Sequence, residues 1–268
     1  MNASAGVIAD KNAEDFYKDV LAGLQKSDVP FLVGGAYAFI CYTGITRPTK
    51  DLDIFIRRQD YERLSAVLAK MGYEAELTYP HWLAKVYCGD EFVDVIFNSG
   101  NAIAEVDDAW FVHAKHAEVL GVQTLICPVE ETIWSKAFIM ERERYDGADI
   151  VHMLRACSWQ MDWRRLLDRF GEHWRVLLIH LTAFGFVYPG ERNLIPLWVM
   201  DELLDRLRTE THTPPTPDAV CAGPLLSREQ YLTDIRNWGY QDARVIPVGN
   251  MTPDETARWT NAIQHDKE

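Results

Sequence analysis

The chain has 268 residues, 48% of them hydrophobic, so it can bury a sizeable core as one large domain or two, and global disorder is excluded. Its formal net charge of −13 at pH 7 disfavours non-specific binding to a polyanion, although it allows a local basic cleft. The odd number of cysteines, the lack of an apolar signal segment in residues 1–12 and the lack of an apolar run long enough to cross a bilayer predict a soluble, cytoplasmic protein without membrane contact.

The first half of the chain alternates helical and extended patterns. Apolar residues recur at helical spacing over 13–25, 36–42 and 59–71. Extended patterns occupy 31–33, 51–56, 73–78, 82–88, 91–98 and 123–127. Gly89 and Asp90 are typical of a hairpin turn, so we expect the two strands that flank them to pair in antiparallel fashion.

After Pro128 the pattern becomes helical. Helices are predicted over 129–144, 149–156, 162–170, 173–186 and 195–208. Residues 211–217 have the composition of a linker, and Ser227 and Thr252 each begin a capping pattern that predicts a further helix. The sequence therefore predicts three segments: an α/β domain over 1–127, an α-helical domain over 128–210, and a linker with a C-terminal helical extension over 211–268.

Two carboxylates stand out within the predicted strand at 51–56. Side chains two residues apart on a strand share a face, so Asp51 and Asp53 point the same way while Leu52 and Ile54 can pack on the other face. Two carboxylates held together repel each other unless they share a proton or a cation. A divalent cation such as Mg²⁺ relieves this repulsion, and Mg²⁺ commonly brings phosphates with it.

A third carboxylate, Asp94, lies in a nearly all-apolar strand. If this strand lies beside that of Asp51 and Asp53, the three carboxylates can hold one or two divalent cations. Two cations about 3.5–4 Å apart can clamp both the attacking and the leaving oxygens of a phosphoryl transfer. We therefore take these three aspartates as candidate metal ligands and catalytic residues.

The Gly-Gly turn before the first of these strands suits a phosphate. Because Gly34 and Gly35 have no Cβ atoms, the backbone can approach a phosphate closely there. Their N–H groups can then point at its oxygens. The short helix that follows the turn would place it near the end of the Asp51 strand.

These features resemble a known superfamily. The resemblance is carried by Gly34, Gly35, Arg47, Thr49, Asp51, Asp53 and Asp94. They resemble the DNA polymerase β-like nucleotidyltransferases, and the Arg-x-Thr-x-Asp-x-Asp wording is similar to bacterial stand-alone members, including the group that contains the abortive-infection type toxins. The resemblance covers about residues 30–155 and implies an α/β (α+β) fold: a five-stranded mixed sheet with flanking helices, followed by an α-helical domain. It also implies two Mg²⁺ ions and a nucleoside triphosphate donor such as ATP.

The resemblance assigns roles residue by residue. It makes Gly34 and Gly35 the triphosphate-binding turn. It makes Asp51 and Asp53 ligands of both metal ions. Asp94 becomes the third ligand and the base toward the acceptor hydroxyl. Arg47 and Thr49 belong to the same motif and are candidates for acceptor binding or for support of the site.

In the helical domain, a further stretch resembles the Lys…Arg-x-Asp-x-x-Asp pattern that follows this fold in related proteins. Lys136 and Arg144 are expected on one face of the helix 129–144, where they would contact the triphosphate. Asp146 or Asp149 would orient Lys136 or the acceptor. Without the resemblance, the two cations read as solvated helix charges, and the two aspartates as a turn and a helix cap.

Simpler interpretations of the three strand carboxylates stay open at this point. Asp51 and Asp53 could be a charge pair exposed at a strand edge. Asp94 could form a structural salt bridge with Arg47 or Lys85. Each alternative accounts for one motif, whereas the metal site accounts for all three carboxylates and the glycine turn together.

The leading hypothesis is an enzyme, a Mg²⁺-dependent nucleotidyltransferase that moves a nucleoside monophosphate from a nucleoside triphosphate to an acceptor hydroxyl and releases pyrophosphate. The acceptor could be a small molecule, a protein side chain or an RNA end, and the acidic composition argues mildly against RNA. One rival is a non-catalytic module that binds a nucleotide or a partner, such as half of a toxin–antitoxin pair with an antitoxin-like partner. The other is a metal-dependent phosphohydrolase.

Overall fold

The computed structural model describes residues 11–262. Within it the chain divides into two compact units, with the boundary between Pro128 and Val129. The first unit contains the sheet and the second is mainly helical. The further division of the second unit at residue 210 stays a prediction.

The first unit is built from four helices and seven strands. The helices are α1 (Lys11–Gln25), α2 (Gly35–Thr43), α3 (Tyr61–Lys70) and α4 (Asp108–Val112). The strands are β1 (Leu32–Val33), β2 (Leu52–Phe55), β3 (Glu74–Tyr79), β4 (Leu83–Cys88), β5 (Glu91–Ile96), β6 (Lys115–Val119) and β7 (Val122–Ile126). Helix α4 and strand β6 have no counterpart in the predicted elements.

The strands form one mixed sheet in the order β3-β4-β5-β2-β1-β7-β6. Two pairs, β1 with β7 and β2 with β5, are parallel, and the others are antiparallel. The predicted hairpin β4–β5 is confirmed, with Lys85 opposite Asp94. The mixed sheet with flanking helices is as predicted, but it has seven strands instead of the five that the resemblance implies: all six extended segments predicted from the sequence join it, and β6 adds a seventh at one edge.

One face of the sheet is covered by α1 and α3. Leu52 and Ile54 of β2 and Val93 and Val95 of β5 are fully buried in a cluster that also contains apolar residues of both helices. Because strand side chains alternate between faces, the residues between them, Asp53 and Asp94 among them, face the opposite side of the sheet. The hydrophobic core therefore determines which face the carboxylates occupy.

The second unit is mostly helical. Its helices are α5 (Val129–Ala137), α6 (Gly147–Cys157), α7 (Trp163–Phe170), α8 (Trp174–Val187), α9 (Leu197–His212), α10 (Leu232–Arg236) and α11 (Pro253–Asn261), and its short strands are β8 (Val220–Cys221) and β9 (Gln241–Asp242). Buried ion pairs from Arg165 to Glu130 and Glu131 join α7 to α5.

The predicted helix over 129–144 is wrong in its second half. Helix α5 ends at Ala137, and the chain then folds back so that the Asp146 amide donates to the Ile139 carbonyl at 3.2 Å. The Met140 amide donates a hydrogen bond to the Leu226 carbonyl at 3.1 Å. These tertiary hydrogen bonds outweigh the helical pattern of the sequence.

The segment after residue 210 holds this fold-back in place. The Glu141 carboxylate accepts hydrogen bonds from the Ser227 hydroxyl at 2.7 Å and from the Arg228 amide and guanidinium, both at 3.0 Å. The capping contact predicted at Ser227 is present, since the Ser227 hydroxyl accepts from the Gln230 amide at 3.4 Å while it donates to Glu141, but helix α10 begins only at Leu232. The capping box predicted at Thr252 is confirmed at the start of α11.

No helix within residues 11–262 combines the length and the apolar character that crossing a bilayer requires.

Candidate active site

Strand β2 presents the first two carboxylates. Asp51 directly precedes the strand and Asp53 lies within it, while the intervening Leu52 is fully buried in the core beneath. Both aspartates are partly buried. Their shared orientation follows from the two-residue period of extended backbone and from the burial of Leu52 on the other face.

Parallel pairing brings the third carboxylate to the same place. Strand β5 lies beside β2 with Asp94 opposite Asp53. Ligand oxygens of Asp51, Asp53 and Asp94 all lie within 4.8 Å of one another. The interpretation of Asp51 and Asp53 as an isolated edge pair does not describe this arrangement, since β2 lies between two other strands of the sheet.

Neighbouring side chains hold two of these carboxylates. The Thr49 hydroxyl donates to Asp51 Oδ1 at 2.9 Å and lies 3.1 Å from the carbonyl of the same residue. The Lys85 ammonium donates to Asp94 Oδ1 at 2.7 Å. The salt bridge considered for Asp94 thus exists with Lys85, and it coexists with the carboxylate cluster.

The Gly-Gly turn lies directly against this cluster. The Gly34 amide donates to the Asp53 carbonyl at 2.9 Å, and Gly34 caps the N-terminus of α2. Gly35 has a φ of +53°, a backbone conformation that residues with a Cβ atom rarely adopt. A Cβ added to Gly35 would lie 2.6 Å from Asp53 Cγ, so only glycine allows the Asp53 carboxylate to pack against the start of the helix.

Tyr17 of α1 supports the chain where it enters β2. Its buried hydroxyl donates to the Lys50 carbonyl at 2.9 Å. Burial, and after it the negative charges of Glu91, Asp51 and Asp94, raise the pKa of Tyr17. The hydroxyl therefore stays protonated and serves as a donor next to the acidic cluster.

The cluster suits a hard divalent cation. Carboxylate oxygens are the ligands that Mg²⁺ and Mn²⁺ prefer, and three ionised carboxylates at this spacing repel one another without a counter-charge. One oxygen from each aspartate is close enough to the other two for all three to contact a single ion. The donor set therefore fits the divalent metal that the sequence resemblance implies.

The second unit brings together the other predicted residues. Lys136 lies 2.8 Å from Asp146 and 3.1 Å from Asp149, and Arg144 donates two hydrogen bonds to Asp146, both at 3.0 Å. The shared helical face predicted for the two cations is wrong, since Arg144 lies beyond the end of α5. They meet instead because both bind Asp146.

Asp146 and Asp149 both lie at the start of α6. Asp146, not Asp149, is the N-cap residue, and its side chain makes no capping hydrogen bond because it binds the two cations. Burial raises the pKa of Asp146, but hydrogen bonding from Arg144 and the charge of Lys136 outweigh it and lower that pKa overall. Asp149 lies in the first turn of the helix.

Arg47 lies with its guanidinium 4.5 Å from the centroid of the Phe39 ring. Such a cation–π contact fixes the arginine on the α2 side of the first unit.

Tyr17 was not among the predicted site residues, because a tyrosine within an amphipathic helix pattern reads as core. The sequence indicates Lys85 as a site residue more clearly than Tyr17. Lys85 is a lone charge in an apolar strand, and the hairpin turn at Gly89 places it opposite Asp94.

Comparison with known proteins finds a family whose model covers more than half of the chain. A family model described as "Uncharacterised nucleotidyltransferase" matches residues 12–182. The match includes the carboxylate cluster, the Gly-Gly turn and the Lys136–Asp149 region. A search of curated proteins found no significant match.

The solved structures that match this chain are distant in sequence and have TM-scores below 0.5. The antibiotic-resistance factor ANT(2'')-Ia is 19% identical, with 65% of this chain and 99% of that chain covered and a TM-score of 0.45. The lincosamide antibiotic adenylyltransferase LnuA, bound to lincomycin, is 14% identical, with 54% and 96% covered and a TM-score of 0.38. An antigenic nucleotidyltransferase-like protein from Paracoccidioides brasiliensis is 13% identical, with 64% and 92% covered and a TM-score of 0.37.

Proposed function

The chain belongs to the family described as uncharacterised nucleotidyltransferases and is a nucleotidyltransferase; from that premise we propose that it transfers a nucleoside monophosphate from a nucleoside triphosphate such as ATP to an acceptor hydroxyl. Asp51, Asp53 and Asp94 hold the divalent cations that the transfer requires. The observation that carries the proposal is their convergence, with ligand oxygens within 4.8 Å of one another. The glycine turn binds the triphosphate at the start of α2: Gly35 contributes its amide and Gly34 a backbone without a Cβ, since the Gly34 amide itself donates to the Asp53 carbonyl.

The position of the glycine turn supports this assignment. Gly35 packs against Asp53, so a phosphate at the N-terminus of α2 would lie beside the carboxylate cluster. Backbone N–H groups at a helix N-terminus and the helix dipole both favour a phosphate. The turn and the cluster together would therefore hold a metal–triphosphate complex.

The reaction follows from these positions. The acceptor hydroxyl oxygen attacks the α-phosphorus of the triphosphate, and its proton passes to the Asp94 carboxylate and from there to water. A new phosphorus–oxygen bond forms with the acceptor, the bond from the α-phosphorus to the bridging oxygen breaks, and pyrophosphate leaves. When bound, divalent cations neutralise the charge that builds up on the phosphates and the leaving group.

Lys136 and Arg144 are proposed as nucleotide-binding residues of the second unit. Both side chains contact Asp146, and Lys136 also contacts Asp149, so two carboxylates balance the two positive charges and orient Lys136. The side chain of Arg144 is 64% exposed, which leaves its guanidinium accessible to a phosphate.

The acceptor is a hydroxyl of a small molecule, a protein side chain or an RNA end. The net charge of −13 favours the first two, because an RNA backbone requires many Lys and Arg contacts. An antitoxin-like partner belongs to the rival proposal, a module that binds without turnover.

The test combines nucleotide turnover with metal binding. Purified protein is incubated with α-labelled nucleoside triphosphates, Mg²⁺ and a panel of hydroxyl acceptors, and label transfer and pyrophosphate release are measured. Asp53→Asn is expected to lower transfer at least ~100-fold, because a catalytic cation supplies several kcal/mol. Asp90→Asn, an exposed aspartate in the β4–β5 turn, is the control and should keep wild-type activity.

The alternatives give different results in the same assay. Release of nucleoside monophosphate to water alone would indicate a phosphohydrolase. Nucleotide binding without turnover, with an affinity for nucleotide that Asp53→Asn does not change, would indicate a binding module. Full transfer activity in Asp53→Asn would remove the metal site from the proposal.

A further inference from the structure

Lys85 is a basic residue that contacts the carboxylate cluster through Asp94. Its ammonium donates to Asp94 Oδ1 at 2.7 Å, and its side chain is 21% exposed, that of Asp94 15%. A cation at this distance offsets one of the three negative charges of the cluster. An enzyme that needs those charges for metal ions thus carries a competing positive charge on one of the ligands.

The placement of Lys85 is imposed by the sheet. Lys85 and Asp94 are directly opposite residues of the antiparallel pair β4–β5, so their side chains lie on the same face. The Lys85 ammonium also lies 3.6 Å from the centroid of the Phe92 ring, two residues before Asp94 on that face. Backbone register and a cation–π contact therefore hold the lysine where a surface lysine would move freely.

A carboxylate can serve Lys85 and a metal together. Asp94 Oδ1 accepts from the ammonium, and a carboxylate has a second oxygen with lone pairs of its own. The hydrogen bond fixes the orientation of the carboxylate, as partners of metal ligands commonly do. The ammonium simultaneously repels any cation that Asp94 binds.

We propose that Lys85 is a positioning residue that holds Asp94 in place and weakens metal binding to the nucleotide-free protein, so that the metal site fills mainly together with the triphosphate. This inference rests on the proposed function of the site. It adds a means by which metal occupancy depends on the nucleotide, since the negative triphosphate supplies the charge that Lys85 offsets.

The test measures Mn²⁺ affinity of the nucleotide-free protein by isothermal titration calorimetry and by electron paramagnetic resonance. Lys85→Gln removes the charge but keeps an N–H donor, and it is expected to bind Mn²⁺ ~10-fold more tightly than the wild type. Lys85→Met also loses the hydrogen bond that orients Asp94, so it should bind more tightly than the wild type but less tightly than Lys85→Gln. Lys85→Arg keeps the charge and should bind as the wild type does.

Turnover supplies the second measurement. Lys85→Met is expected to lower kcat ~10-fold or more, because Asp94 loses the hydrogen bond that orients it. The matched control is Lys18→Met, which removes a lysine that pairs with Glu14 on the surface of α1 and should change neither quantity.

The outcomes separate this inference from the proposed function. If the wild type binds Mn²⁺ and Asp53→Asn does not, the metal site stands, and unchanged or weaker binding by Lys85→Met and Lys85→Gln then overturns the role of Lys85 alone. If wild-type Mn²⁺ binding is absent or insensitive to Asp53→Asn, the metal site of the proposed function is refuted, and the role of Lys85 is refuted with it. Circular dichroism of each variant establishes that it is folded before affinities are compared.

Discussion

Replacement of Gly35 by alanine should disable the site while leaving the fold largely intact. Gly35 has a φ of +53°, so an alanine there costs roughly 1–2 kcal/mol of backbone strain. Its Cβ would also lie 2.6 Å from Asp53 Cγ, where ordinary contacts begin at 3.4 Å. Asp53 Oδ2 lies closer still to that Cβ position, so the carboxylate must retreat by more than the ~0.8 Å that Cγ alone requires.

A displacement of this size matters for catalysis more than for folding. Misplacement of a reacting group by 1 Å can lower the rate ~100-fold. We therefore expect Gly35→Ala to lower nucleotidyl transfer ~100-fold and Mn²⁺ affinity ~10-fold, as loss of ligand orientation does in other metal sites. Urea denaturation measures the strain, calorimetry the Mn²⁺ affinity, and release of pyrophosphate the rate.

Gly44, at the other end of α2, supplies a matched control. Its φ is +71°, and a Cβ there would meet nothing within 4 Å. Gly44→Ala should thus show the same loss of stability as Gly35→Ala from backbone strain, yet bind Mn²⁺ and turn over nucleotide as the wild type does. Equal Mn²⁺ affinity and equal rates in the two variants would refute the argument that Gly35 gives Asp53 its place.

Two further predictions concern the groups that hold the acidic side chains. Thr49→Val removes the hydrogen bond to Asp51 Oδ1 and should weaken Mn²⁺ binding ~10-fold, whereas Thr49→Ser keeps the hydroxyl and should not; equal affinities in calorimetry would show that the hydroxyl is dispensable. Asp146 has a lowered pKa in the folded protein, so its stabilising contribution is complete above its unfolded value near ~4 and is lost as the pH falls through the folded pKa. The free energy of unfolding in urea should therefore drop less for Asp146→Asn than for the wild type between neutral and strongly acidic pH, and equal drops would contradict the role of the Lys136 and Arg144 contacts.

Much of the candidate site was accessible from local sequence patterns. The two-residue period of a strand places Asp51 and Asp53 on one face, and the buried Leu52 between them requires it. The turn at Gly89 sets the register that places Lys85 opposite Asp94. Such inferences succeed because they depend on residues close together in the chain.

Local patterns failed where distant segments compete for the same backbone groups. The helical pattern of 129–144 continues past Ala137. In the structure, however, the Met140 amide donates to the Leu226 carbonyl and the Glu141 carboxylate accepts from Ser227, so the helix ends at Ala137. There the deciding hydrogen bonds come from outside the predicted element. Strand β6 was missed for a different reason: it pairs with β7 across the two-residue turn at Leu120 and Gly121, both with positive φ, and this local hairpin signal was not recognised.

The amino-acid sequence by itself determined the alternation of buried and polar positions, and with it the face on which each carboxylate lies. Only the tertiary structure decided that β5 lies beside β2 with Asp94 opposite Asp53, and that Lys136 and Arg144 meet on Asp146. The physical reason is range: side-chain periodicity is a property of neighbouring residues, whereas strand order and the meeting of distant charges depend on how the whole core packs.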